Sequence, residues 1–152
     1  MTNTPLTIAP ILTTFFDEQA QLASGLARSR IHDVSVRLRR CVEAHGDQIL
    51  VDRDRTLVAA ERAFDPNDPV ARVAHADDLV YLLAIFVEPE WLATDSPTLR
   101  VQLRMVERLT RWLLARRLVH PDAVCCPLLD IEARIARARR ALRSGDPTAP
   151  RP

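Results

Sequence analysis

The sequence predicts an all-α protein: a single compact domain of about five to six helices over residues 1–143, followed by a disordered tail at 144–152. Three observations predict it. Apolar side chains recur at three- and four-residue spacing through most of the chain, the period of a helix with one buried face. Pro, Gly and capping residues punctuate the chain at helix-length intervals. The one run that reads as a strand, Leu79 to Val87, is rich in Leu and Ala and has no second run to pair with. A chain of 152 residues, 47% of them apolar, suits one domain with a real core.

The first helix is expected from Thr7 to Ser24, burying Ile8, Ile11, Leu12, Phe15, Phe16 and Leu22, with Ser24-Gly25 ending it. The second runs from about Ser29 to His45 on a stripe of Ile31, Val34, Leu38, Cys41 and Val42, and Gly46 suits the position just past its end. The third spans Asp52 to Phe64 with Leu57, Ala60 and Phe64 inward, and the segment Asp65-Pro66-Asn67-Asp68-Pro69 is a loop. Asp68 as N-cap and Pro69 at the first helical position open a fourth helix that continues to Val87. Its second half is apolar nearly all round, which places it at the centre of the core. Ser96-Pro97 opens a fifth helix that runs to about Leu118, and a sixth runs from about Pro127 to Arg143, closed by Gly145. The tail SGDPTAPRP has no apolar residue to anchor it.

Composition excludes several chemistries. With only 3 Gly there is no phosphate-cradling glycine loop. All 21 basic residues are Arg, a uniformity that a GC-rich genome writes by default, and Schiff-base lysine chemistry is excluded with it. Cys41, Cys125 and Cys126 form neither a disulfide framework nor a CxxC pair. The N-terminus lacks the basic segment of a secretory signal, and the longest apolar run is nine residues, so the expectation is a cytoplasmic protein with no membrane partner.

Charge is unevenly placed. Residues 63–98 carry seven acids against one Arg, while residues 99–143 carry eleven Arg against four acids. On the fifth helix Arg100, Arg104, Arg108 and Arg111 fall within about 80° of one another at helical spacing. They form a cationic ridge opposite Leu99, Leu103, Val106, Leu109 and Leu113. Val101, Met105 and Trp112 make a second apolar strip beside that core stripe. Three arrangements satisfy the ridge: it faces nucleic-acid phosphates, it meets a protein partner, or Asp77, Asp78, Glu88, Glu90 and Asp95 of the same chain lie against it. The sixth helix adds Arg134, Arg137, Arg139, Arg140 and Arg143 outside its apolar stripe.

Candidate chemistry is sparse. His32, His45, His75 and His120 form no HExxH or ExxH motif, and His75 with Asp78 on one helical face supplies two ligands where a metal site needs three or four, so no metal and no cofactor are expected. Cys125-Cys126 is expected as a buried pair of small apolar residues rather than a nucleophile. Arg40 and His45 fit the R-x4-H spacing of the HEPN ribonucleases. That resemblance implies an RNA-cleaving site in which Arg and His meet across a dimer interface.

The segments ARSRIHDVSVRLRRCVEAHG and VQLRMVERLTRWLLARRLVHPD resemble the helical core-binding domain of the tyrosine recombinases, from about Arg28 to Asp122. Trp112-Leu113 and His120-Pro121 stand where that family has a tryptophan-leucine pair and a turn-closing proline, with Arg117 in place of a glycine. The recombinases' catalytic domain is absent, and the one tyrosine, Tyr81, falls in the expected buried helix. The resemblance implies DNA contact without strand cleavage. The leading expectation is thus a non-catalytic DNA-binding or regulatory protein that uses Arg100, Arg104, Arg108 and Arg111. The alternatives are a protein-interaction module (a regulator or antitoxin-like subunit, homodimeric in one version, or one that meets an acidic protein surface) anchored by Trp91, Val101, Met105 and Trp112, and the ribonuclease.

Overall fold

The computed structural model describes residues 5–145. Seven α-helices and no strand occur among them: α1 Ile8–Gln21, α2 Gly25–Ile49, α3 Asp52–Phe64, α4 Pro69–Val73, α5 Ala76–Phe86, α6 Ser96–Ala115 and α7 Cys125–Ser144. Short 3₁₀ turns at Pro89–Trp91 and Pro121–Ala123 precede the last two helices. The tail expected to be disordered lies, from residue 146 onward, outside the described residues.

The core is organised around α5. Leu79, Val80, Leu82, Leu83 and Phe86 are fully buried, and α1, α2, α6 and α7 all pack on this helix. Each neighbour contributes its expected stripe: Ile8, Ile11, Leu12, Phe15 and Phe16 from α1; Ile31, Val34, Leu38, Cys41 and Val42 from α2; Leu99, Leu103, Val106, Leu109 and Leu113 from α6; Ile131 and Ile135 from α7. Val101 and Met105 are also buried, so the second apolar strip of α6 belongs to the core. Tyr81 is 43% exposed, on the one side of α5 that meets solvent.

Several boundaries differ from the sequence expectation for identifiable reasons. The helix expected over 68–87 is two helices, broken at Ala74 and His75, whose backbones are extended. The break is held by the chain's beginning: Ile8 N donates to Ala74 O (2.9 Å) and Thr7 pairs with His75 in a short antiparallel bridge. Asp68 occupies the N-cap position of α4, yet its backbone is left-handed and its side chain caps nothing. The cap comes from another helix: the Glu43 carboxylate on α2 accepts from Val70 N (2.9 Å) and Ala71 N (3.1 Å). This satisfies orphan donors that sequence-local capping rules assign to the preceding residue. Burial raises the Glu43 pKa above the ordinary carboxylate value, against the pull of those two N–H groups.

Gly46 does not end α2; it lies inside the helix, where α4 comes closest. A Cβ at this position would sit 2.5 Å from Val70 Cγ1, so glycine is required by close approach rather than by turn geometry. Gly25 likewise begins α2 instead of ending α1, and Leu22 is exposed. On α3 the inward set is also different. Val58 is its one buried side chain, while Leu57 and Phe64 are exposed and Ala60 with them. The helix α3 packs mainly on the short α4.

Helix α6 ends at Ala115, three residues early, because Arg117 turns left-handed (φ 56°). Leu118 N donates to Leu113 O (3.0 Å) and Arg117 N to Leu114 O (3.1 Å), the paired bonds that close a helix around a left-handed residue. An arginine therefore adopts the geometry that a glycine would adopt without strain.

Two substitutions test this packing by urea denaturation. Gly46→Ala is expected to destabilise by about 1–3 kcal/mol through overpacking against Val70, although alanine is the better helix former. Arg117→Gly is expected to stabilise by about 0.5–1 kcal/mol, since relief of the left-handed backbone outweighs the added freedom of the unfolded chain.

Candidate nucleic-acid interface

The ridge expected on α6 is present and faces outward: Arg100, Arg104, Arg108 and Arg111 are all exposed. Its outward position follows from the breadth of the buried arc of α6, which takes up the opposite side of the helix. The four residues differ in their surroundings. Arg108 Nη1 donates to Gln19 Oε1 on α1 (3.0 Å). Arg111 lies 3.9 Å from Glu107, which also forms a closer ion pair with Arg139 of α7. Arg100 and Arg104 have no carboxylate or carbonyl partner among the described residues.

The acidic middle segment does not lie against this ridge. Each of its carboxylates is placed elsewhere or left in solvent. Asp95 caps α6 by accepting from Thr98 N (2.9 Å), and its bonds to the Thr98 hydroxyl and N–H hold its pKa below the ordinary value. The N-cap of α6 is thus Asp95, one residue before the expected Ser96. Asp78 Oδ2 accepts from His75 N (3.0 Å) at the start of α5. Glu88 lies 3.4 Å from Arg134, which turns inward and also donates to Ala84 O at the end of α5. Asp77 and Glu90 are exposed.

The loop carrying Glu88, Glu90 and Asp95 is fixed by residues the sequence reading passed over. Gln102 is fully buried on α6; its Oε1 accepts from Ala93 N (2.8 Å) and its Nε2 donates to Phe86 O (3.2 Å) and Trp91 O (3.0 Å). Arg37 on α2 donates to Trp91 O (2.7 Å) and Leu92 O (3.2 Å). Trp91 Nε1 donates to His45 Nε2 (2.9 Å). The only sequence signal for Gln102 was a polar residue inside an apolar arc, flanked by Val101 and Leu103.

Helix α7 extends the cationic surface. Arg139 and Arg143 of α7 join Arg100 and Arg104 of α6 in lining a groove of about 350 Å³, with Leu103 and Leu142 as its floor and no acid in its lining. The seam continues between the same helices into a second hollow of about 570 Å³, where Glu107 and Glu132 accompany Arg111, Arg139, Arg140 and Arg143. The unneutralised part of the surface is therefore centred on Arg100, Arg104 and Arg143, nearer the start of α6 than the sequence placed it.

The other candidates are also located. Trp91 and Trp112 are half-buried and hydrogen-bonded, Trp112 through its indole N–H to Glu18 Oε2 (3.0 Å), so with Val101 and Met105 they serve the interior rather than an open apolar strip. Within one chain Arg40 and His45, five residues apart on α2, point about 140° apart, and the His45 ring accepts from the Trp91 indole N–H. Cys125 and Cys126 are exposed, contrary to the buried pair expected, with sulfurs 4.0 Å apart. The Cys126 pKa is raised by its bond to Cys125, which opposes any activation as a nucleophile. His75 and Asp78 do share one region, and the structure adds a third group from a distant element, Asp54. Burial raises the Asp78 pKa above the ordinary carboxylate value.

No match was found when the chain was compared with protein families, with curated proteins and with solved structures. No helix is long and apolar enough to cross a membrane among the described residues.

Thiol accessibility provides a direct check on these placements. Cys41 is wholly buried, and burial, reinforced by the charge of Glu88, pushes its pKa up to about 12. A disulfide reagent at mildly alkaline pH is expected to modify Cys125 and Cys126 rapidly in the native protein, and Cys41 only after denaturant is added.

Proposed function

We propose that this chain is a non-catalytic helical DNA-binding or regulatory protein that holds backbone phosphates in the groove between α6 and α7. The observation that carries the reading is the lining of that groove: Arg100, Arg104 and Arg143, none with a carboxylate partner among the described residues, beside Arg139, which is paired with Glu107, all over two apolar side chains. Like charges gathered in this way repel unless an anion is present, and a guanidinium fork matches a phosphate in two parallel hydrogen bonds. Two helices lying side by side also present cations in two rows, which suits a polymer with regularly spaced phosphates better than a single small anion. The sequence resemblance to recombinase core-binding domains points to the same partner. Nothing in the groove supplies a nucleophile or a general base, so the role is to bind and not to cleave.

Duplex binding measured by fluorescence anisotropy against salt tests the proposal. If three phosphates are neutralised, one each by Arg100, Arg104 and Arg143, the logarithm of affinity falls with the logarithm of salt at a slope of about −2.7, from roughly −0.9 per phosphate. Arg100→Ala/Arg104→Ala is expected to weaken binding to every duplex sequence and to make that slope shallower by about 1.8. Arg53→Ala/Arg62→Ala, on exposed positions of α3, serves as the control and is expected to leave both unchanged. Absence of binding at low salt, or equal loss in the two double variants, rejects the groove as the site.

A further inference from the structure

We propose that Asp54, His75 and Asp78 form a binding site for a divalent transition-metal ion, with zinc(II) as the best-fitting member of that class. The three residues come from separate elements: Asp54 from the first turn of α3, His75 from the break between α4 and α5, and Asp78 from the first turn of α5. One ligand-capable atom from each lies within 4.8 Å of the other two. Around an ion with bonds of about 2.0–2.2 Å, ligand atoms sit roughly 3–3.5 Å apart, so side-chain rotation of about 1–2 Å closes the set.

The framework is already rigid where it needs to be. The backbone of His75 is held on one side by the bridge to Thr7 and on the other by the Asp78 carboxylate. That carboxylate uses Oδ2 for the His75 N–H, and its remaining lone pairs stay available. All three side chains are half-buried, which limits competition from bulk water. No arginine pairs with Asp54 or Asp78 among the described residues, in a chain with 21 arginines, and Asp54 makes no hydrogen bond there. Two carboxylates beside an imidazole, with no arginine paired to either among the described residues, make this a place where a cation would be favoured.

The donor set selects the class of ion. One imidazole nitrogen with two carboxylate oxygens favours zinc and its transition-metal neighbours over magnesium or calcium, which take oxygen ligands in larger number. Three protein ligands leave at least one position open to water. An ion here would also fasten the start of α3, the helix with the smallest share in the core, to the α4–α5 junction. The site is independent of the DNA-binding reading.

The exposed Cys125 and Cys126 also attract zinc, so the test uses the full chain carrying Cys125→Ser and Cys126→Ser. Calorimetric titration with Zn²⁺ is expected to show one ion per chain at micromolar affinity or tighter. Asp54→Asn is expected to weaken this at least tenfold, and His75→Gln likewise. The Asp54 carboxylate makes no hydrogen bond or ion pair among the described residues, so its variant retains the fold, verified by an unchanged melting temperature without metal. At a Zn²⁺ concentration about 100-fold above Kd, amide exchange across α3 slows by up to about 100-fold, and the slowing disappears in Asp54→Asn. Undiminished zinc binding in Asp54→Asn, or no binding below millimolar Zn²⁺, overturns the proposal.

Discussion

Helix α5 has no polar face to give to solvent. After Asp78 it reads Leu-Val-Tyr-Leu-Leu-Ala-Ile-Phe, and every one of these except Tyr81 and Ile85 is buried. Withdrawing its five large buried side chains from water contributes on the order of 10 kcal/mol, an upper figure that is comparable with the whole net stability of a domain. The remaining helices are arranged to meet that requirement. The helices α1, α2, α6 and α7 each turn one apolar stripe inward, and whatever each carries on its other side is thereby assigned to the surface. The cationic ridge of α6 is outward for this reason: the buried arc from Leu99 to Leu113 leaves the arginines no other place.

Charge in this fold sorts into two populations. Carboxylates gather at helix beginnings, where unpaired N–H groups and the positive end of the helix favour them: Glu43 at α4, Asp78 at α5 and Asp95 at α6. Several arginines do the complementary work at carbonyl groups in or near helix ends and turns, some of which also accept a second hydrogen bond. Arg28 donates to Ala20 O and Ala23 O after α1, Arg72 to Glu61 O and Asp65 O after α3, Arg134 to Ala84 O in α5, and Arg37 to Trp91 O and Leu92 O. These arginines are explained by the fold itself. Arg100, Arg104 and Arg143 belong to neither arrangement, and what distinguishes them from other unpaired arginines is that they line one groove together.

The helical stripes of α1, α2, α6 and α7 were legible in the sequence because each is a periodic apolar pattern that a neighbour buries as expected. The reading failed where a distant segment determined the outcome. Gly46 has the residue type of a helix terminator, yet its role is set by Val70, which lies on another helix. Asp68 has the residue type of a cap, but Glu43 reaches the α4 donors instead. Leu57 and Phe64 share a face at helical spacing, but no element of the described chain covers that face, so periodicity alone could not reveal that they are exposed. For the candidate site, the residue types and the helix were legible. The contribution of Arg139 and Arg143 was not, because the spacing between α6 and α7 is a tertiary quantity. Asp54 was invisible for the same reason: 21 positions separate it from His75.

Glu107 divides the α6–α7 seam into two unlike halves. On its own side it draws Arg111 and Arg139 toward one carboxylate, and local charge is largely balanced. Toward the start of α6 that compensation ends. Arg100, Arg104 and Arg108 succeed one another at four-residue spacing, and each such pair of like charges costs about 0.2–0.5 kcal/mol. The two pairs together cost up to about 1 kcal/mol, against a domain stability of roughly 5–15 kcal/mol. No capped carbonyl, buried ion pair or helix terminus in the fold benefits from Arg100 or Arg104. A surface that opposes stability in this way, on a helix whose other side is committed to the core, has a physical rationale when a polyanion occupies the groove and supplies the missing negative charge.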